Sequence, residues 1–215
     1  GCPHRGFFYE LGKRKDVMVT GDIGCYTLGF GAPYHAMDTN LCMGASISMG
    51  HGAQQIFNKK PDNKKRAVGV IGDSTFFHTG INSLLDVVYN RSNMVTCILD
   101  NRITAMTGQQ DNPGTGVTAM REVTEVVDLE ALVKACGVKR VRVIDPNQLK
   151  DVKESFDWAL GSDEASVIIT RWPCALKKQS LLDKQEFAGS FTERYRVDES
   201  VCIGCKKCTK TGCPA

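Results

Sequence analysis

The stretch Ala67-Val68-Gly69-Val70-Ile71-Gly72-Asp73-Ser74 decides the fold. Its first five residues are apolar or Gly without alternation, the pattern of a strand buried on both faces. Gly72-Asp73-Ser74 then ends the run. Ile81, Leu84, Leu85 and Val88 recur at helical spacing, with Gly80 before them and the turn Asn90-Arg91-Ser92-Asn93 after. Met94 to Leu99 reads as a second buried strand, closed by Asp100-Asn101. Strand, helix and strand of this length make a right-handed parallel crossover. Asp73 and Asn101 therefore emerge at the same carboxyl edge of one sheet, where open α/β folds bind ligands.

Outward from this unit, strands and helices keep alternating. Val17 to Thr20 reads as a short strand feeding the loop Gly21-Asp22-Ile23-Gly24-Cys25. Cys42 to Phe57 is rich in small residues and reads as a helix packed closely against backbone or cofactor. Arg102 to Val117 is a long polar loop, and loops of that length inside a compact domain are usually functional. Asp128 to Cys136 reads as a helix capped by Asp128, Val138 to Ile144 as a strand, Asn147 to Leu160 as a helix and Ala165 to Thr170 as a strand. The expected fold is α/β, a mostly parallel sheet with helices on both faces. Lys177 to Phe191 is polar and reads as an irregular linker. We therefore expect a main domain over 1–176, a linker over 177–194 and a small cysteine-rich segment over 195–215.

At 215 residues and 42% apolar composition the chain can bury one good core. The net charge of +3 is modest and its Lys and Arg are scattered, so nothing favours nucleic acid. No apolar run approaches the length of a membrane span, and no signal peptide is visible. The ten cysteines cluster in short motifs, which argues for metal or cluster ligation in a reducing compartment, hence the cytoplasm, over a disulfide framework. The chain opens without Met on Gly1-Cys2-Pro3-His4 and stops at Cys213-Pro214-Ala215, and we expect it to be a segment of a longer polypeptide.

Cys202, Cys205, Cys208 and Cys213-Pro214 give C-x2-C-x2-C-x4-C-P, one residue longer than the bacterial ferredoxin run. Three thiolates at that spacing hold corners of one [4Fe–4S] cube, and the fourth serves a partner cluster. A zinc site is the alternative, but zinc motifs favour C-x2-C pairs separated by longer loops. Tyr195-Arg196-Val197-Asp198 looks like the first strand of such a domain. Without its second half, we expect this run to complete neither cube. Cys42, Cys97 and Cys136 stand alone and read as small core residues.

Mg²⁺ takes oxygen ligands in octahedral geometry and completes its shell with phosphate oxygens. A carboxylate at Asp73, an amide oxygen at Asn101 and a nearby carbonyl suit it. With 25 residues between Ser74 and Asp100, the spacing resembles the thiamine diphosphate motif, Gly-Asp-Gly followed by an Asn pair. Ser74 departs from the third Gly and Asp100 from the first Asn.

Taken together, Gly1 to Gly6, Thr20 to Tyr26, Met43 to Ser46, Gly72 to His78, Asp100-Asn101, Thr104 to Gly108 and the terminal ferredoxin run resemble the 2-oxoacid:ferredoxin oxidoreductases. The likeness is strongest to the large (alpha) subunits of the indolepyruvate branch. It implies that Asp73, the Asn101 side chain and the Ile103 carbonyl hold Mg²⁺. It sets Gly72, Ser74, Thr75, Met106 and Thr107 near the diphosphate, and Asp22, Ile23, Gly24, Cys25, Ser46 and His51 near the cofactor rings. Cys2, Cys25 and Cys174 match three of four thiolates that hold a proximal cluster in some relatives.

The implied reaction is oxidative decarboxylation of an aryl 2-oxoacid to an acyl-coenzyme A, with electrons passing through [4Fe–4S] clusters to ferredoxin. A Glu on a separate pyrimidine-binding domain of the same polypeptide would activate the cofactor, and a smaller beta subunit is the implied partner. Met43, Met49 and Met106 are expected to form a dry wall beside the cofactor. A non-redox thiamine diphosphate decarboxylase is the alternative, though it has no use for the ferredoxin run.

Overall fold

The computed structural model describes residues 1–60, 62–188 and 196–210. Six parallel strands form one sheet in the order β2-β1-β3-β4-β6-β5. They are β1 (Val17–Gly21), β2 (Thr39–Asn40), β3 (Arg66–Gly72), β4 (Val95–Asp100), β5 (Arg140–Ile144) and β6 (Ser166–Arg171). The expected strand–helix–strand unit is present: β3 passes through α3 (Asp73–Thr75), a π-turn over Phe76–Gly80 and α4 (Ile81–Tyr89) into β4, its parallel neighbour.

Unbroken apolar runs form these strands because both faces are covered. Alternate side chains divide between two cores. Val68, Val70, Val95, Cys97, Leu99 and Ile168 meet α1 (Arg5–Gly12), through Phe7, Phe8 and Leu11, and α6 (Leu149–Leu160), through Val152 and Phe156. Ala67, Ile71, Ile98, Val167 and Ile169 meet α2 (Ala45–Asn58), α4 and α5 (Leu129–Ala135), through Ile47, Leu84, Val87 and Val133. Asp128 caps α5 as expected, accepting the Glu130 and Ala131 backbone N–H groups.

Several sequence expectations change. Helix α1 carries no clear sequence signal, because Gly6 and the Arg5 and Glu10 charges blur its apolar face; it is held by Phe7 and Phe8 against β1 and α6. Lys177 to Phe191 is not irregular throughout. Ser180 accepts from the Asp183 N–H and Asp183 accepts from the Ser180 N–H, a capping box that starts α7 (Leu181–Glu186). Residues 189–191 of that stretch lie outside the described residues. Arg196 to Asp198 form no strand, and Tyr195 lies outside the described residues. Cys97 and Cys136 are buried as expected, whereas Cys42 is exposed. Among the described residues no helix is long and apolar enough to cross a membrane.

Candidate functional site

After β1 the chain adds β2 on one side of the sheet and β3 on the other. That reversal makes a topological switch point between the carboxyl ends of β1 and β3, the position where doubly wound sheets bind ligands. The loop after β1 brings Asp22 there, and the loop after β3 brings Asp73. The loop after β4 brings Asp100 and Asn101 alongside.

Asp73 is fully buried at the start of α3. Burial and then the neighbouring Asp100 push its carboxyl well above the ordinary carboxylate range, although the Asn112 side chain and the Ser74 and Asn101 backbone N–H groups all donate to it. The Asn112 Nδ2 lies 3.1 Å from Asp73 Oδ2. Hydrogen bonds alone thus leave a buried carboxylate short of positive charge, the environment a divalent cation corrects. Asn101 is buried next to it, with Oδ1 accepting the Ile103 N–H at 3.1 Å. Carboxylate, amide oxygen and the carbonyls of a tight loop are hard oxygen donors, and they fit Mg²⁺. Asn112 escaped the sequence reading; its signal was the Asn112-Pro113-Gly114 turn inside the long polar loop.

The two departures from the Gly-Asp-Gly and Asn-Asn pattern both have local accounts. Ser74 Oγ lies 2.6 Å from Thr104 Oγ1, tying the loop after β3 to the loop after β4. The Asp100 carboxylate is held by Arg171, whose Nε donates to Oδ2 at 2.7 Å, and by Arg102, whose Nε lies 3.4 Å away. A second acid is tolerated beside Asp73 because two guanidinium groups face it.

Asp22 is a brace. Its Oδ1 accepts the Ile23 and Gly44 N–H groups at 2.9 and 2.8 Å, and its Oδ2 accepts the Ser46 N–H at 3.2 Å. The start of α2 is thereby pinned to the end of β1, where its dipole favours an anion. Gly44, the N-cap, has φ of +87°, and a β-carbon there would meet the Thr79 side chain at 2.3 Å. Thr79 belongs to the π-turn, a device that recurs near functional sites. Ser46 Oγ is buried with no hydrogen-bond partner. An unpaired buried hydroxyl at a helix start fits a polar cofactor better than an apolar filler.

Other predicted residues have partners of their own. His51 Nε2 is 3.9 Å from Asp86 of α4, so it faces the neighbouring helix. Thr107 Oγ1 donates to Gln110 Oε1 at 2.6 Å within its own loop. Met43 and Met106 are exposed and Met49 half-buried, so these residues form no dry wall by themselves.

Cys2 precedes α1, Cys25 starts the 3-10 turn Cys25–Phe30 after β1 and Cys174 follows β6, and the three are electrostatic neighbours. Desolvation raises the Cys2 thiol, a His4 backbone hydrogen bond lowers it, and Cys174 and Cys25 raise it further. Desolvation and then Cys174 raise Cys25. The Cys174 N–H donates to the Asn101 carbonyl at 2.9 Å, joining the thiol loop to the cation loop. Thiols are the ligand type that an iron–sulfur cluster takes. Among the described residues, however, no group of three or more His, Cys, Asp or Glu is placed to hold a metal ion. Cys202, Cys205 and Cys208 are exposed, with Cys208 in α8 (Lys207–Lys210), and Cys213 lies outside the described residues.

This switch point, with its buried acid and its Gly-capped helix start, is built on the pattern of a thiamine diphosphate site. Residues 22–170 match the family described as "Thiamine pyrophosphate enzyme, C-terminal TPP binding domain", and the chain belongs to that family. In sequence it is similar to indolepyruvate oxidoreductase subunit IorA of Pyrococcus abyssi, 41% identical over all of this chain and 34% of that protein. The subunit of the same name from Archaeoglobus fulgidus is 35% identical, over all of this chain and 38% of that one. The chain thus spans about a third of the curated relatives it matches. Among solved structures, a 2-oxoglutarate:ferredoxin oxidoreductase from Magnetococcus marinus superposes with a TM-score of 0.68 at 17% identity, covering 87% of this chain and 68% of that one. A Rhodococcus jostii thiamine diphosphate-dependent 4-hydroxybenzoylformate decarboxylase gives 0.56 at 21% identity, covering 79% and 32%. At those identities the likeness concerns the fold.

Proposed function

We propose that this chain is the diphosphate- and Mg²⁺-binding part of a thiamine diphosphate-dependent 2-oxoacid:ferredoxin oxidoreductase acting on aryl 2-oxoacids of the indolepyruvate type. The observation that carries this is Asp73: a carboxylate buried at the switch point, beside a second acid, in need of a cation. Sequence likeness to subunits named indolepyruvate oxidoreductase supports the substrate class. The products are an acyl-coenzyme A, carbon dioxide and reduced ferredoxin, with [4Fe–4S] clusters as the electron carriers. A pyrimidine-binding domain on the same polypeptide and a smaller beta subunit complete the enzyme.

When bound, thiamine diphosphate supplies a nucleophilic ring carbon and an electron sink for decarboxylation. The chain's own residues bind and orient. Asp73, the Asn101 amide oxygen and the Ile103 carbonyl would hold Mg²⁺, whose charge offsets both the buried acid and the diphosphate. Ser74, Thr75 and the start of α2 would line the phosphates, with Asp22 fixing that helix end in place. Ser46 would offer its unpaired hydroxyl to the cofactor. Cys2, Cys25 and Cys174 would contribute to a cluster close to the site, and Cys202, Cys205, Cys208 and Cys213 to the ferredoxin-type clusters.

A thermal melt tests the first half: thiamine diphosphate with Mg²⁺ raises the melting temperature, and neither alone does so as far. A 2-oxoacid assay of the full-length protein tests the second. Carbon dioxide release that requires a one-electron acceptor supports the reading, and release without any acceptor points to a non-redox decarboxylase.

A further inference from the structure

Arg102 sits between the two proposed cation ligands Asn101 and Ile103, and its φ is +59°. An L-residue with a side chain resists the left-handed region, so this conformation persists only where the surroundings over-determine it. Four interactions do so here. The Arg102 N–H donates to Asp100 Oδ1 at 3.2 Å, and its Nε lies 3.4 Å from Asp100 Oδ2. Its carbonyl accepts from Lys177 Nζ at 3.0 Å, and its Nη2 donates to Glu186 Oε2 at 2.6 Å. The last two partners come from the α7 segment, more than seventy residues downstream.

That segment is itself firmly seated. Lys177 Nζ lies 2.8 Å from Asp183 Oδ2, with both side chains almost fully buried. Asp183 also starts α7 through its capping box with Ser180. Phe187 packs against Trp172 with the rings tilted and their centroids 5.2 Å apart, just beyond β6. Glu186 additionally lies 3.8 Å from Arg171, the residue that holds Asp100. Buried ion pairs contribute little to stability compared with apolar packing of the same volume. What they do well is fix geometry, and here they converge on one peptide unit.

We infer that α7 and Lys177 form a clamp that presets the Asn101–Ile103 loop for the cation, making Lys177, Arg102 and Glu186 positioning residues. The inference rests on the cation assignment made above. Released from the clamp, the Arg102 backbone relaxes out of the left-handed region, and the Ile103 carbonyl turns with it. The Asn101 amide loses its N–H partner in the same movement. None of the three side chains touches the cation.

Mn²⁺ binding to the full-length protein, followed by electron paramagnetic resonance with saturating thiamine diphosphate, provides the test. Lys177→Met and Glu186→Gln each raise the Mn²⁺ dissociation constant about tenfold, as loss of an outer support does. The kcat at saturating Mn²⁺ stays near wild type. Arg102→Ala weakens binding in the same way, whereas Arg102→Gly, which adopts the left-handed conformation without strain, keeps more of the affinity. That Ala-to-Gly difference remains decisive if Lys177→Met fails to fold. Unchanged Mn²⁺ affinity in Glu186→Gln and Lys177→Met, or equal loss in Arg102→Ala and Arg102→Gly, overturns the clamp. Asp73→Asn separates the two layers: if it abolishes Mn²⁺ binding while the clamp variants bind normally, only the clamp fails. If Asp73→Asn itself binds Mn²⁺ normally, the cation assignment fails.

Discussion

The Asp73 carboxylate accepts the backbone N–H of Asn101, so the first residues beyond two adjacent strands are joined directly. The bond carries consequences for stability. Asp73 is held by backbone and amide donors, and Asp100 is close by. Replacing it with Asn removes a buried acid at almost constant volume. The expected outcome for Asp73→Asn is a melting temperature a few degrees higher without ligand, following roughly 1 kcal/mol of relief. The further rise with thiamine diphosphate and Mg²⁺ disappears. Calorimetry with and without ligand reads both.

Asn112 also holds Asp73, and its own Oδ1 accepts the Gly114 N–H at 2.9 Å. Asn112→Ala leaves a buried carboxylate and a buried N–H short of partners, at a cost of about 1–3 kcal/mol. Urea unfolding should show the midpoint fall with an unchanged slope. A loss below about 0.5 kcal/mol would mean water replaces the amide.

At Gly44 two constraints coincide, a left-handed backbone and close contact with Thr79. Gly44→Ala should destabilise the protein by more than about 1 kcal/mol, the ordinary penalty for a β-carbon in that region. It should also weaken binding of the diphosphate, because the start of α2 is displaced. Gly52, with open space around it, is the control, and Gly52→Ala should be neutral or stabilising.

Asp183 links acidity to the α7 segment. Burial works to raise its pKa, but hydrogen bonds from Lys177 and Ser180 outweigh that and hold the carboxyl below its ordinary value. Its contribution to stability is complete above the ordinary carboxylate range and is lost as pH falls through the lowered pKa. The melting temperatures of wild type and Asp183→Asn should differ at pH 7 and converge as the pH falls below the ordinary carboxylate range. A difference that persists undiminished at low pH would remove the ion pair from the explanation.

Cys25 offers a test of the thiol group. Cys25→Ser in the full-length protein should lower the iron content while leaving the stabilisation by thiamine diphosphate and Mg²⁺ intact. Unchanged iron would exclude this thiol as a ligand.

The residue string alone determined the alternation of strands and helices and the pairing of β3 with β4. Continuous apolar runs and helical spacing are local signals, and a parallel crossover has one dominant hand. Asp73 and Asn101 were readable for the same reason, since each directly follows a buried strand. Helix α1 and α7 were less legible. The first is decided by packing of Phe7 and Phe8, and the second by a capping box in a polar stretch. Asn112 reaches Asp73, His51 turns to Asp86, and Lys177 and Glu186 meet Arg102 from far along the chain. Only the tertiary structure decided these partners. Their contacts are set by how loops fold over the end of the sheet, where no periodicity in the sequence records which side chains will meet.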